Sequence, residues 1–92
     1  MNNITKPVSY TITIEDVEHN ITITPVVQTI PDGNLHATGV YKLTEGHIGM
    51  GDIVFDDDMN QWEYTGMGDL THKEAGRIAD YIRDYKAPYS TI

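Results

Sequence analysis

The sequence predicts an α+β fold: an antiparallel sheet of about five strands, joined by hairpins and followed by one C-terminal amphipathic helix packed on one face. Three observations predict it. Apolar and polar residues alternate through the first half of the chain, as in half-buried strands. An Asp-Gly pair, Asp32-Gly33, stands between apolar runs, as in a tight hairpin. Beyond Thr71 the apolar period lengthens to that of a helix. A chain of 92 residues holds one hydrophobic core and is too short for two domains of ordinary size. The expected organisation is therefore a single domain over 1–92, with the sheet over 8–65, the helix over 71–86 and a short tail over 87–92.

The first strand runs from Val8 to Glu15, where alternation places Val8, Tyr10, Ile12 and Ile14 on one face and Ser or Thr on the other. Alternation resumes in Ile21-Thr22-Ile23-Thr24. A loop over Asp16 to His19 would pair Ile14 with Ile21 and Ile12 with Ile23, keeping the apolar side chains together. Next, a two-residue turn at Asp32-Gly33 would pair Ile30 with Leu35, Gln28 with Ala37 and Val26 with Gly39. Carried further, that register puts Ile23 opposite Lys42 and scatters the apolar set over both faces. One extra residue near Pro25-Val26 restores a single apolar face by pairing Ile23 with Tyr41 and Ile21 with Leu43, so a β-bulge is predicted there.

Glu45 to Gly51 is glycine-rich, has neither period, and is expected to be a loop. Asp52–Phe55 and Gln61–Thr65 then form two short strands around the polar segment Asp56-Asp57-Asp58-Met59-Asn60. Thr71-His72-Lys73-Glu74 is a capping box, with Leu70 and Ala75 placed for a hydrophobic staple. Ala75, Ile78, Ala79, Ile82 and Tyr85 follow the i, i+3, i+4 spacing of one buried stripe. Pro88 cannot continue the helix and disfavours it at Ala87, which sets the expected end near Lys86. One short repeat, Gly49-Met50-Gly51-Asp52-Ile53 and Gly66-Met67-Gly68-Asp69-Leu70, reads as two similar entries into ordered elements.

No function class announces itself by motif. The absence of cysteine excludes disulfides, thiolate metal sites and Cys nucleophiles. No basic start with an apolar run and no 18-residue apolar stretch occurs, which predicts a soluble, cytoplasmic protein without a membrane span. Asp56, Asp58 and Asn60 match the first, third and fifth places of a calcium loop, but Gln61 replaces the required Gly and Met67 the bidentate Glu. His19, His36, His47 and His72 include no i, i+4 pair, and no G-x-S-x-G or H-E-x-x-H run is present. Gly66 to Thr71 leads into a helix N-terminus, yet Asp69 and Glu74 bring negative charge where an anion would sit. The sequence therefore predicts no enzyme, no cofactor and no metal.

Charge is the more informative property. The formal net charge is −8, and residues 69–86 contain four acids and four bases, so the whole excess lies in residues 1–68. Such a field repels phosphate backbones and anionic lipid and attracts a basic protein surface, which predicts no direct nucleic-acid or membrane binding. The expected function is a small acidic protein-interaction module, an inhibitor or adaptor that docks on a basic partner. The candidate partner-binding residues are Asp56, Asp57 and Asp58, with Met50, Met67 and Tyr81 as apolar groups expected at the surface because they fall in loops or off the helix stripe. The alternatives are a homo-oligomeric module pairing through a sheet edge, and a small-ligand or metal-binding domain. The bland counterpart is that acidic charge only keeps a small protein dispersed.

Overall fold

A computed structural model describes residues 4, 6–29, 31, 35–56, 58, 60–66 and 70–85. Five antiparallel strands and one helix follow in the order β1 (Val8–Ile14), β2 (Val17–Thr29), β3 (Leu35–Glu45), β4 (Ile48–Phe55), β5 (Trp62–Tyr64) and α1 (His72–Asp84). The strands form one curled meander, β1-β2-β3-β4-β5, and the helix touches both edge strands, β1 and β5. The α+β class predicted by the sequence is the one observed. No helix among the described residues is long and apolar enough to cross a membrane.

The inner face of the sheet is the apolar face of the alternating segments. Ile12, Ile21, Ile23, Tyr41, Leu43, Ile53 and Phe55 are buried together with Ala75, Ile78, Ala79 and Ile82 of the helix. Ile4 and Leu70 close the same cluster. Among the described residues no charged side chain is buried in it.

The predicted inner faces of the first strands are correct, but the registers differ. In the first hairpin Ile14 pairs with Val17, Ile12 with His19, Tyr10 with Ile21 and Val8 with Ile23. The turn is only Glu15-Asp16, with φ of 52° and 65°, the double positive φ of a mirror-image hairpin turn. Closing the turn by four positions preserves parity, so the apolar side chains stay on one face while β2 gains ladder bonds from Val17 onward.

Between β2 and β3 the register does shift at Pro25–Val27, where the bulge is expected. The extra residues, however, lie on the partner strand. Val27 faces Ala37 and Pro25 faces Tyr41, so Thr38, Gly39 and Val40 oppose Val26 alone. On one side of the shift Ile23 pairs with Leu43, two positions from the expected Tyr41, and on the other Gln28 pairs with His36, one position from the expected Ala37. Thr38 Oγ1 donates to the Val26 carbonyl at 2.8 Å and accepts from Val40 N at 3.3 Å, satisfying groups that the ladder leaves open. Gly39 has φ 83°, and a Cβ there would lie 2.9 Å from the Phe55 carbonyl oxygen, so the irregularity settles where glycine permits it. Asp32 and Gly33, the expected turn, lie outside the described residues.

The glycine-rich segment before Asp52 is a strand and not a loop. Glu45 pairs with Ile48 across the turn Gly46-His47, and β4 continues to Phe55. A second bulge opposes Met50 and Gly51 to Leu43 alone. It flips the alternation, so Met50 faces inward and the next inward residues are Ile53 and Phe55. The interruption of the period-two pattern is why the first half of this strand is invisible to periodicity, while Asp52–Phe55 is a strand as expected.

Helix α1 begins as predicted. Thr71 Oγ1 accepts from Glu74 N at 3.1 Å, and a Glu74 carboxylate oxygen accepts from Thr71 N at 2.8 Å. It ends at Asp84, two positions before the expected end. Tyr85 is the C-cap, with extended backbone, and its N–H donates to the Ile82 carbonyl at 3.3 Å in a tightened last turn.

Candidate functional site: a tyrosine groove between β1 and α1

The two turns β1–β2 and β3–β4 lie at one end of a meander, and the β4–β5 loop at the other. The acidic excess is split accordingly. Glu15, Asp16 and Glu18 are exposed at the first end, where His19 Nδ1 also sits 2.9 Å from both carboxylate oxygens of Glu45. Asp56 and Asp58 are exposed at the second.

Asp56 is engaged in building its own loop. Its Oδ1 accepts from Asn60 N at 2.8 Å and Gln61 N at 3.3 Å, while its backbone N–H donates to the Gln61 carbonyl at 3.0 Å. That carboxylate organises a turn, as Asp side chains commonly do. Asp58 is exposed beside it. Asp57 and Met67 lie outside the described residues. Met50 corrects an expectation: it is only 7% exposed, because the bulge turns it inward against the core.

Tyr81 is where the candidate residues meet other chemistry. It is half-buried and lies between two more tyrosines. Its ring centroid is 4.5 Å from that of Tyr10 on β1, tilted by 32°, and 5.7 Å from that of Tyr85, nearly edge-on at 64°. Tyr10, Arg77, Asp80, Tyr81, Asp84 and Tyr85 line an open cleft of about 620 Å³. That volume is in the range of a small-ligand or short-peptide site.

The helix supplies four of the six lining residues by simple spacing, since 77, 80, 81 and 84 fall on one flank beside the buried stripe, and its C-cap Tyr85, expected in that stripe, is only half-buried and supplies a fifth. Asp80 accepts from Arg83 Nη2 at 3.0 Å. The lining places one guanidinium, Arg77, and two carboxylates, of which Asp80 is paired with Arg83, on an aromatic floor. Burial, then the neighbouring Tyr85 and Tyr10, raises the Tyr81 hydroxyl above its ordinary value of 10.0, so the ring stays neutral at physiological pH. Burial does the same to Tyr41 in the core.

Neutral tyrosine faces flanked by carboxylates attract a cation: the ring quadrupole offers a negative face and the carboxylates offer charge and acceptors. Asp56 and Asp58 do not line this groove. The sequence marks Tyr81 alone of its six residues as a candidate for partner binding. The flank spacing on the helix could have added Asp80, Asp84 and Tyr85, but nothing in the sequence joins them to Tyr10.

Elsewhere the chemistry is sparse. Among the described residues no three His, Asp or Glu side chains converge as a metal site would require. Trp62 stacks on His72 at 5.1 Å and 18°, a contact that fixes the start of the helix against β5. Compared with known protein families, curated proteins and solved structures, the chain matches none.

Proposed function

We propose that the chain is a non-enzymatic protein-interaction module that docks on a basic partner surface, as an inhibitor or adaptor occupying that surface. The observation that carries this reading is the groove of Tyr10, Tyr81 and Tyr85 bordered by Asp80 and Asp84. It is a contact site suited to a lysine or arginine side chain, on a protein whose net charge of −8 attracts basic surfaces from a distance. The two features divide the work. The exposed acids of the loops, Asp58 among them, steer the encounter, and the groove holds the bound partner.

The division is testable by kinetics. Capture of basic proteins from source-cell lysate should weaken as salt rises, because charge steering is screened. For a captured partner, the double variant Asp80→Asn with Asp84→Asn should chiefly speed dissociation, since it removes contacts. Asp58→Asn should chiefly slow association, since it removes charge outside the contact. Both changes preserve side-chain shape, and the amide oxygen introduced by Asp80→Asn would still accept from Arg83. If both variants kept the partner set and both rates of wild type, the acidic charge would serve dispersal only and the reading would fall.

A further inference from the structure

We propose that the groove is a strand-addition site: an extended segment bearing lysine or arginine at alternate positions pairs with the outer edge of β1 and lays those side chains on the three tyrosines beside Asp80 and Asp84. The inference rests on the docking reading above and gives it a geometry.

The sheet has two edges and they are unequal. β5 is three residues long, too short to template another chain, whereas β1 has seven residues and is paired, among the described residues, with β2 alone. Within β1 there is no proline, no lysine and no bulge, the usual devices that protect an edge. Among the described residues no strand pairs with its outward groups.

The groove lies at that edge. Its lining is Tyr10 of the edge strand β1 with the flank of α1, and it includes no residue of β2. An added strand runs about 4.8 Å beyond β1, and its alternate side chains project to the face on which Tyr10 and the helix stand. Tyr10 belongs to the inner, helix-covered face of β1, as its ring contact with Tyr81 shows. Backbone bonds to β1 would then supply affinity independent of sequence, and the groove would select the residues at every second position. Charge decides which residues those are. Asp80 is already paired with Arg83, and Asp84 is matched by Arg77, so the preference for cationic side chains comes from the tyrosine faces and from the net charge of −8 on the chain as a whole. The occupant is therefore a basic extended peptide segment of a partner.

The probe is a fluorescent, end-blocked nonapeptide alternating arginine with threonine. Controls are its glutamate-threonine counterpart and two forms N-methylated on one or the other alternate set of residues. Fluorescence anisotropy should show saturable binding of the arginine peptide and none of the glutamate peptide. Methylating the set that donates to β1 should weaken binding by about tenfold or more, and methylating the other set should not, because only half the N–H groups of an added strand face its neighbour. Hydrogen exchange at the amides of Ser9 to Thr13 should slow in the complex, and Tyr81→Ala should weaken binding while leaving the unbound exchange pattern unchanged.

Equal binding of all the arginine peptides, with β1 exchange unchanged, would overturn strand addition and leave the docking reading standing. Failure of the arginine peptide to bind folded wild type would overturn strand addition, and paired with salt-independent capture from lysate it would sink the docking reading too. Two further results assign the groove elsewhere and overturn the inference. One is a dimer of the unliganded protein that slows the same β1 amides, which gives the edge to a second copy. The other is competition by tetramethylammonium as effective as by the peptide, which makes the groove a site for small cations.

Discussion

Replacing Gly51 with alanine should cost about 3 kcal/mol or more, the combined effect of a left-handed backbone position and a steric collision in a packed region. Gly51 has φ 95°, and a Cβ there would lie 2.5 Å from the Gly66 Cα and 2.7 Å from Tyr64 Cε1. The tyrosine ring cannot readily withdraw, because its hydroxyl donates to the Met50 carbonyl. The bulge that this glycine permits is also what turns Met50, Ile53 and Phe55 inward together. A chain of 92 residues is stabilised by only about 5 to 14 kcal/mol in total, so the loss is a large fraction of it. Urea denaturation of the Gly51→Ala protein measures it directly, and a midpoint equal to wild type would show that β4 is not bulged at this position.

The second large effect is at the helix–sheet interface. Ile78 has no exposed surface and belongs to the stripe that Ala75, Ala79 and Ile82 complete. Ile78→Ala removes three carbons from a site walled by small alanines and rigid strands, which limits collapse into the space; a loss of about 2 to 5 kcal/mol is expected. Because the same helix carries Asp80, Tyr81 and Asp84, partner capture should fall in proportion to the unfolded fraction and recover when temperature is lowered toward the stability maximum. Thermal denaturation followed at Trp62, whose ring stacks on His72 of the helix, reports the loss.

These two sites also show what can be read from the chain. Ile78 is legible: a helix stripe needs only the spacing of its residues, and a capping box fixes where it starts. The faces of β1, β2 and the second half of β3 are legible for a related reason. Side-chain direction in a strand repeats every two residues, so the first hairpin can be displaced by four positions, and the pairing of Ile23 by two, without exchanging inside for outside. Of β4 only Asp52–Phe55 is legible; its first half is not, because the bulge at Met50-Gly51 breaks the very period that identifies a strand. The same break explains why Met50, expected at the surface, lies in the core.

The groove is half legible. The flank spacing of Arg77, Asp80, Tyr81, Asp84 and Tyr85 is present in the sequence, but its meaning depends on Tyr10, which only the curl of the sheet brings beneath the helix. The acidic run at Asp56 to Asp58 is conspicuous in the sequence for a partly local reason: Asp56 uses its carboxylate to hold the loop. A conspicuous composition and a shaped site need not coincide, and here they lie on different parts of the fold.

Whether the groove is the docking site is most directly tested by mapping backbone amide shifts of the labelled protein during titration with the alternating arginine-threonine nonapeptide. Saturable shifts are expected, confined to β1 around Tyr10 and to the chain from Arg77 through the C-cap Tyr85, with at most small changes at Asp58 and at the Glu15-Asp16 turn. Shifts centred on those acidic loops, with the groove residues unmoved at saturation, would contradict it.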